Sequence, residues 1–209
     1  MESNYDKTVR VAQGLFLEYD QEEMAAKYGL EHDEDYLYLT FIADRYRISR
    51  QSGAVEVLTP SGPESCTDYD IVMSLYDALC YPEGTPQLAY EWCQLNSLQA
   101  TMSSPGTDTF TQKTANAFAG KVERLRQACQ LLGGTEPAIS AGADVYCQFD
   151  VFPFFPLQFR FWDADDEFPA QIRLLWDRNA LQFMHFETLY YVMGALLNKL
   201  KSVFQALGE

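Results

Sequence analysis

Between Phe161 and Phe168 the chain sets Asp163, Asp165, Asp166 and Glu167 within five residues, and Asp177 follows soon after. Carboxylates so close together offer hard oxygen ligands to Ca²⁺ or Mg²⁺. The Gly and terminal Glu of a helix-flanked calcium loop are missing, so no standard site follows from the spacing. Trp162, Phe168 and Trp176 flank the run, which raises the expectation of an acidic pocket with an aromatic wall. The plainer alternative is a solvated hairpin tip. His185 stands close to Glu187 at the start of a helix, where a carboxylate would tune the imidazole for proton transfer. Packing or capping is the competing role, and His32 sits in an acidic loop with less promise.

Arg45, Arg47 and Arg160 fall on alternating stretches, and Arg173 on the expected partner strand, so several guanidinium groups could converge on one sheet face. Such a face suits a carboxylate or phosphate by two-pronged contact, unless the many acids pair with it internally. Nucleophile motifs are missing: there is no Gly-x-Ser-x-Gly elbow, and Gly133 and Gly134 follow a helix instead of opening one, so they make no phosphate loop. Cys66, Cys80, Cys93, Cys129 and Cys147 lie too far apart for a local zinc or iron–sulfur motif. They read as reduced, mostly buried thiols.

The elements that would position these groups are legible from periodicity. Val9, Ala12, Phe16 and Tyr19 mark one stripe of a first helix ending near Glu18. Asp20 with Glu23 looks like a capping box, and Gly29 is the left-handed stop of a short second helix. From Tyr36 the period becomes two, with Leu37, Leu39 and Phe41 on one side. Runs at 45–50 and 55–58 complete an antiparallel meander. Residues 59–67, with two Pro and a Gly, should be loop. A helix capped near Thr67 or Asp68 buries Ile71, Val72, Leu75, Ala78 and Leu79. Residues 88–98 are ambiguous between strand and loop, and 101–108 form a polar connection.

Thr109 and Gln112 look like a capping box for one helix running through Phe118, Val122, Leu125, Cys129 and Leu132 to Gly133. Lys121, Arg124 and Arg126 would fall toward its C-terminal half, where the helix dipole favours them. Strands are expected at 145–151, 157–162 and 172–176, followed by a long helix from about Phe186. The fold class is therefore α+β: an antiparallel sheet of about five to seven strands flanked by helices, in a single domain spanning 1–209.

Thirty Asp and Glu oppose fifteen Lys and Arg, a net charge of −15, and 18 of those acids lie in residues 1–104. Such a field repels phosphate backbones and anionic lipid, so neither nucleic acid nor a membrane surface is an expected partner. No apolar run reaches the roughly 18 to 20 residues that span a bilayer, nor does the first stretch read as a secretory signal. A cytoplasmic location is the expectation.

Phe161, Trp162, Asp166, Glu167, Phe168, Pro169 and Ala170, then Leu175, Asp177, Asn179, Ala180 and Glu187, resemble the C-terminal pattern of an uncharacterised bacterial and archaeal family classed as a domain of unknown function. The resemblance covers most of the chain and names no reaction. It implies an origin largely among anaerobes, where some members carry an added four-cysteine iron–sulfur module of the kind seen beside corrinoid proteins. The cysteines here lack that module's close spacing. The reading that follows is a non-enzymatic accessory protein binding a small molecule or protein partner, linked by the resemblance to cofactor-dependent anaerobic metabolism. The alternative is a small divalent-metal enzyme using Asp166, Glu167, Asp177 and His185. A homodimer made by surface aromatics is a third possibility, and the cofactor is left unnamed.

Overall fold

The computed structural model describes residues 4–99, 107–137 and 142–208. It is α+β, with strands in two antiparallel sheets of five and four strands and a long C-terminal helix. The strands anticipated for one sheet are thus divided between two. The residues form two compact units: one holds those up to Gln87 with Phe152–Phe154 and Leu181–Ala195, the other Leu88–Val151, Phe155–Ala180 and those from Leu196 on.

In the first unit, α1 (Asn4–Glu18) buries Phe16, while Tyr19 lies beyond the helix and is exposed. Asp20 caps α2 (Gln21–Tyr28) by accepting the Glu22 and Glu23 N–H groups, and Gly29 ends it at φ 62°. The meander β1 (Glu31–His32), β2 (Tyr36–Phe41), β3 (Asp44–Ser49), β4 (Val55–Thr59) and β5 (Gly62–Ser65) pairs in sequence order. Leu37, Leu39, Phe41, Tyr46 and Ile48 are buried together, as strand alternation requires. β5 occupies part of the expected loop. Pro63 is tolerated there because an edge strand has one side on which no N–H is needed.

The β2–β3 turn consists of Ile42 and Ala43, both at positive φ (46° and 65°). This is the mirror-image two-residue turn that strand twist favours, made without its usual Asn or Gly. Asp68 caps α3 (Tyr69–Cys80) through the Ile71 N–H, and Val72, Leu75, Ala78 and Leu79 form the buried stripe, with Ile71 only half-buried.

The second unit contains β6 (Trp92–Gln94), α4 (Thr107–Phe118), α5 (Val122–Leu131), β7 (Val145–Phe152, whose last residue belongs to the first unit), β8 (Phe155–Trp162) and β9 (Gln171–Asp177), in sheet order β6-β9-β8-β7. The single helix expected from Thr109 to Leu132 is two. Gly120 adopts φ 71° and the Lys121 N–H returns to the Phe118 carbonyl, a left-handed stop that the apolar periodicity runs straight through. Lys121 and Arg124 therefore lie at the start of α5 and not in the C-terminal half of a long helix. The cap expected at Thr109 lies outside the described side chains, and Gln112 donates to Asn116 and to the Ala170 carbonyl.

Cys129 and Cys147 are fully buried in hydrogen-bonding contact, which together with burial drives the Cys129 thiol far above its usual range. Cys66, Cys80 and Cys93 are half-buried, and all five are free. The helix α6 (Phe186–Ala206) gives its residues through Ala195 to the first unit and the rest to the second.

Ala43→Gly relieves a left-handed alanine and is expected to stabilise by roughly 0.5–1 kcal/mol after the glycine's larger unfolded-state entropy is deducted. Thermal melting should show a rise of about 1–4 °C. A fall would mean that Ala43 is not held at positive φ.

Candidate functional site

Tyr81, Glu83, Thr85, Pro86, Leu181 and Gln182 line a cleft of about 410 Å³ in the first unit. Pro82 follows the last turn of α3, and Gly84 at φ 73° turns the chain beyond it. The Gln182 side chain accepts the Gln87 N–H at 3.2 Å, which holds one wall.

Beside this cleft stands His185. Asp77, on the last turns of α3, takes it with both oxygens: Oδ2 accepts the His185 backbone N–H at 2.8 Å, and Oδ1 lies 2.6 Å from Nδ1. An ionised carboxylate only accepts, so Nδ1 carries a proton, and whenever the ring is neutral its lone pair lies on Nε2. The Asp77 side chain is 14% exposed and that of His185 57%, so the anchor is sheltered while the ring is open to solvent. Tyr81, one helical turn after Asp77, lays its ring 3.9 Å from the imidazole and also lines the cleft. The arrangement is an oriented imidazole joined to the cleft through the ring of Tyr81. Nearby Cys80 is no nucleophile, because burial first and then Asp77 push its thiol up to about 12.

The carboxylate on His185 is thus Asp77 and not the neighbouring Glu187, which lies in the first turn of α6. Nothing local in the sequence marks that pairing, which spans 108 residues. The available signal was that Asp70 and Asp77 are the only charged residues in an otherwise apolar helix.

The other candidates are placed elsewhere. Arg45 pairs with Glu31 at 2.5 Å. Arg47 pairs with Glu56 at 2.6 Å and stacks over Tyr36 at 3.9 Å. These two lie on the five-stranded sheet, whereas Arg160 and Arg173 lie on the four-stranded one, so the four do not converge on one face. Trp162 pairs with Gln171 and Trp176 with Leu157, a register that sends the two indoles to opposite faces of the sheet. Trp176 is fully buried, and Trp162 is half-buried with Nε1 donating to the Gly142 carbonyl at 2.9 Å.

Asp166 and Glu167 are exposed in the β8–β9 connection. There Asp165 accepts the Glu167 and Phe168 N–H groups, and those donors hold its carboxyl below the usual range. Among the described residues, no group of three or more His, Cys, Asp or Glu is arranged to hold a metal.

Asp177 is fully buried and accepts three backbone N–H groups, from Ala89 (2.9 Å), Tyr90 (2.6 Å) and Asn179 (2.8 Å). It anchors the segment leading into β6, including Tyr90 at φ 55°. Asp177→Ala should cost about 2–4 kcal/mol, since several of these donors lose their acceptor at once. Asp177→Asn, which keeps one oxygen, should cost about half as much. Chemical denaturation of both variants checks the order, and equal losses would contradict the anchoring role.

No helix among the described residues is long and apolar enough to cross a membrane. No curated protein and no solved structure is detectably similar to the chain. The pattern defining a domain of unknown function, DUF3786, matches residues 20–199, a span that includes both sheets, the cleft and His185. By that match the chain belongs to the DUF3786 family.

Proposed function

We propose that this is a non-enzymatic ligand-binding protein whose cleft takes a small amine or amino alcohol, with His185 Nε2 as the acceptor that fixes the ligand's orientation. The observation that supports this reading is the double contact of Asp77 with His185, which fixes the ring and its tautomer while the side chain stays open to solvent. Positioning a polar group before the ligand arrives removes an ordering cost from binding. Glu83 makes the lining negative, Thr85 and Gln182 add polar groups, and Tyr81, Pro86 and Leu181 supply apolar surface. A ligand rich in N–H or O–H donors and carrying positive charge matches that combination.

Two measurements test this. Long-range ¹H–¹⁵N spectra of the histidine side chains should show His185 protonated at Nδ1 near neutral pH, and Asp77→Ala should abolish that preference. Saturation-transfer NMR with ethanolamine and related amino alcohols should show binding that is lost in His185→Ala and weakened in Glu83→Gln. A set tautomer without binding of any of these probes would remove the ligand class while leaving the dyad. An unset tautomer would remove the proposal itself.

A further inference from the structure

The antiparallel register of β8 and β9 sets Arg160 directly opposite Arg173, on the face turned away from the buried Phe159, Phe161 and Ile172. Side chains so paired have Cβ atoms about 4.5–5.5 Å apart, and like charges placed there destabilise a sheet. The chain has thirty acids with which to relieve the repulsion. Arg45, Arg47, Arg50, Arg126 and Arg178 each hold a glutamate. Among the described residues neither Arg160 nor Arg173 holds a carboxylate. Arg160 Nη2 reaches only neutral acceptors, Gln158 Oε1 at 3.0 Å and the Tyr146 hydroxyl at 3.4 Å, and its Nε is buried without any acceptor. Each guanidinium rests on a ring, Arg160 4.7 Å from the Tyr146 centroid and Arg173 5.2 Å from that of Trp162. Ring contact holds a guanidinium plane in place without satisfying its N–H groups.

We infer that Arg160 and Arg173 form an oxyanion site for the phosphoryl group of a small phosphate ester. Two adjacent cations are neutralised by one dianion, and a phosphoryl group has three oxygens to receive two guanidinium forks. A carboxylate brings one charge and two oxygens. Trp162 and Tyr146 border the pair with ring surface against which the ester's organic part packs. The site uses no residue of the cleft and stands or falls separately from it. The net charge of −15 repels long polyphosphates, so the ligand is a small ester.

Isothermal titration of the full chain at low ionic strength, where exposed charges are least screened, tests the site with phenyl phosphate, inorganic phosphate and benzoate. Both phosphates should bind with one site per chain, phenyl phosphate the tighter, and benzoate should bind at least about tenfold more weakly. Arg173→Gln should lower phosphate affinity by about tenfold or more. It should melt no earlier than the wild type without ligand, because a repulsion has been removed. Arg173→Lys, which keeps the charge but not the fork, should also bind more weakly. Absence of binding by both phosphates at millimolar concentration, or undiminished phosphate binding by Arg173→Gln, would overturn the inference. Benzoate binding as tightly as phenyl phosphate would do the same.

Discussion

Side-chain alternation along paired strands is the constraint on which most of the molecule rests. In the four-stranded sheet it sends Cys147, Phe149, Phe155, Leu157, Phe159, Phe161, Ile172, Leu174 and Trp176 to one face, all of them buried. The same rule leaves Gln158, Arg160, Trp162 and Arg173 on the other. Because the period is two, a slip of one residue would exchange these sets, exposing the rings and burying two guanidinium groups. That penalty fixes the register, and the fixed register puts Arg160 against Arg173. An unfavourable pair is therefore held in place by a favourable core, a local conflict of the kind expected where function is served. Asp177 adds to the same frame by tying the backbone of residues 89, 90 and 179 to the end of β9.

The cleft depends on a different device. The imidazole beside its Tyr81 wall is oriented by a carboxylate far away in sequence, brought near by the apolar stripe of α3. Asp77 is half-buried on that helix, and its two oxygens leave His185 little freedom. Tyr81 follows one helical turn later, so the same helix end that presents the anchor also presents the ring bordering both imidazole and cleft.

Much of this was legible in the residues. Asp20, Gly29 and Asp68 announce helix boundaries because a carboxylate satisfies open N–H groups and glycine accepts positive φ. The strands at 36–41, 145–151 and 157–162 show in the alternation, since burial on one face demands it. The misses have equally physical causes. Gly120 breaks a helix whose apolar spacing continues on both sides, so periodicity alone could not reveal two elements. β5 was hidden by Pro63, which an edge strand accommodates, and Ile42 and Ala43 form a turn that residue preferences assign to Asn or Gly. Trp162 and Trp176 looked like one aromatic wall because sequence proximity carries no register, and the pairing of Trp176 with Leu157 separates them. The Asp77–His185 contact lay beyond reach because no local pattern encodes a pairing 108 residues apart.

The claim that strand register sorts these side chains to opposite faces is tested most directly by fluorescence of Trp92→Phe/Trp162→Phe, which leaves Trp176 as the only indole. The register described here requires blue-shifted emission and near-complete protection from acrylamide, against a clearly quenchable fraction in the unmodified protein. Emission quenched as readily as that of the unmodified protein would place Trp176 in contact with solvent and contradict the account.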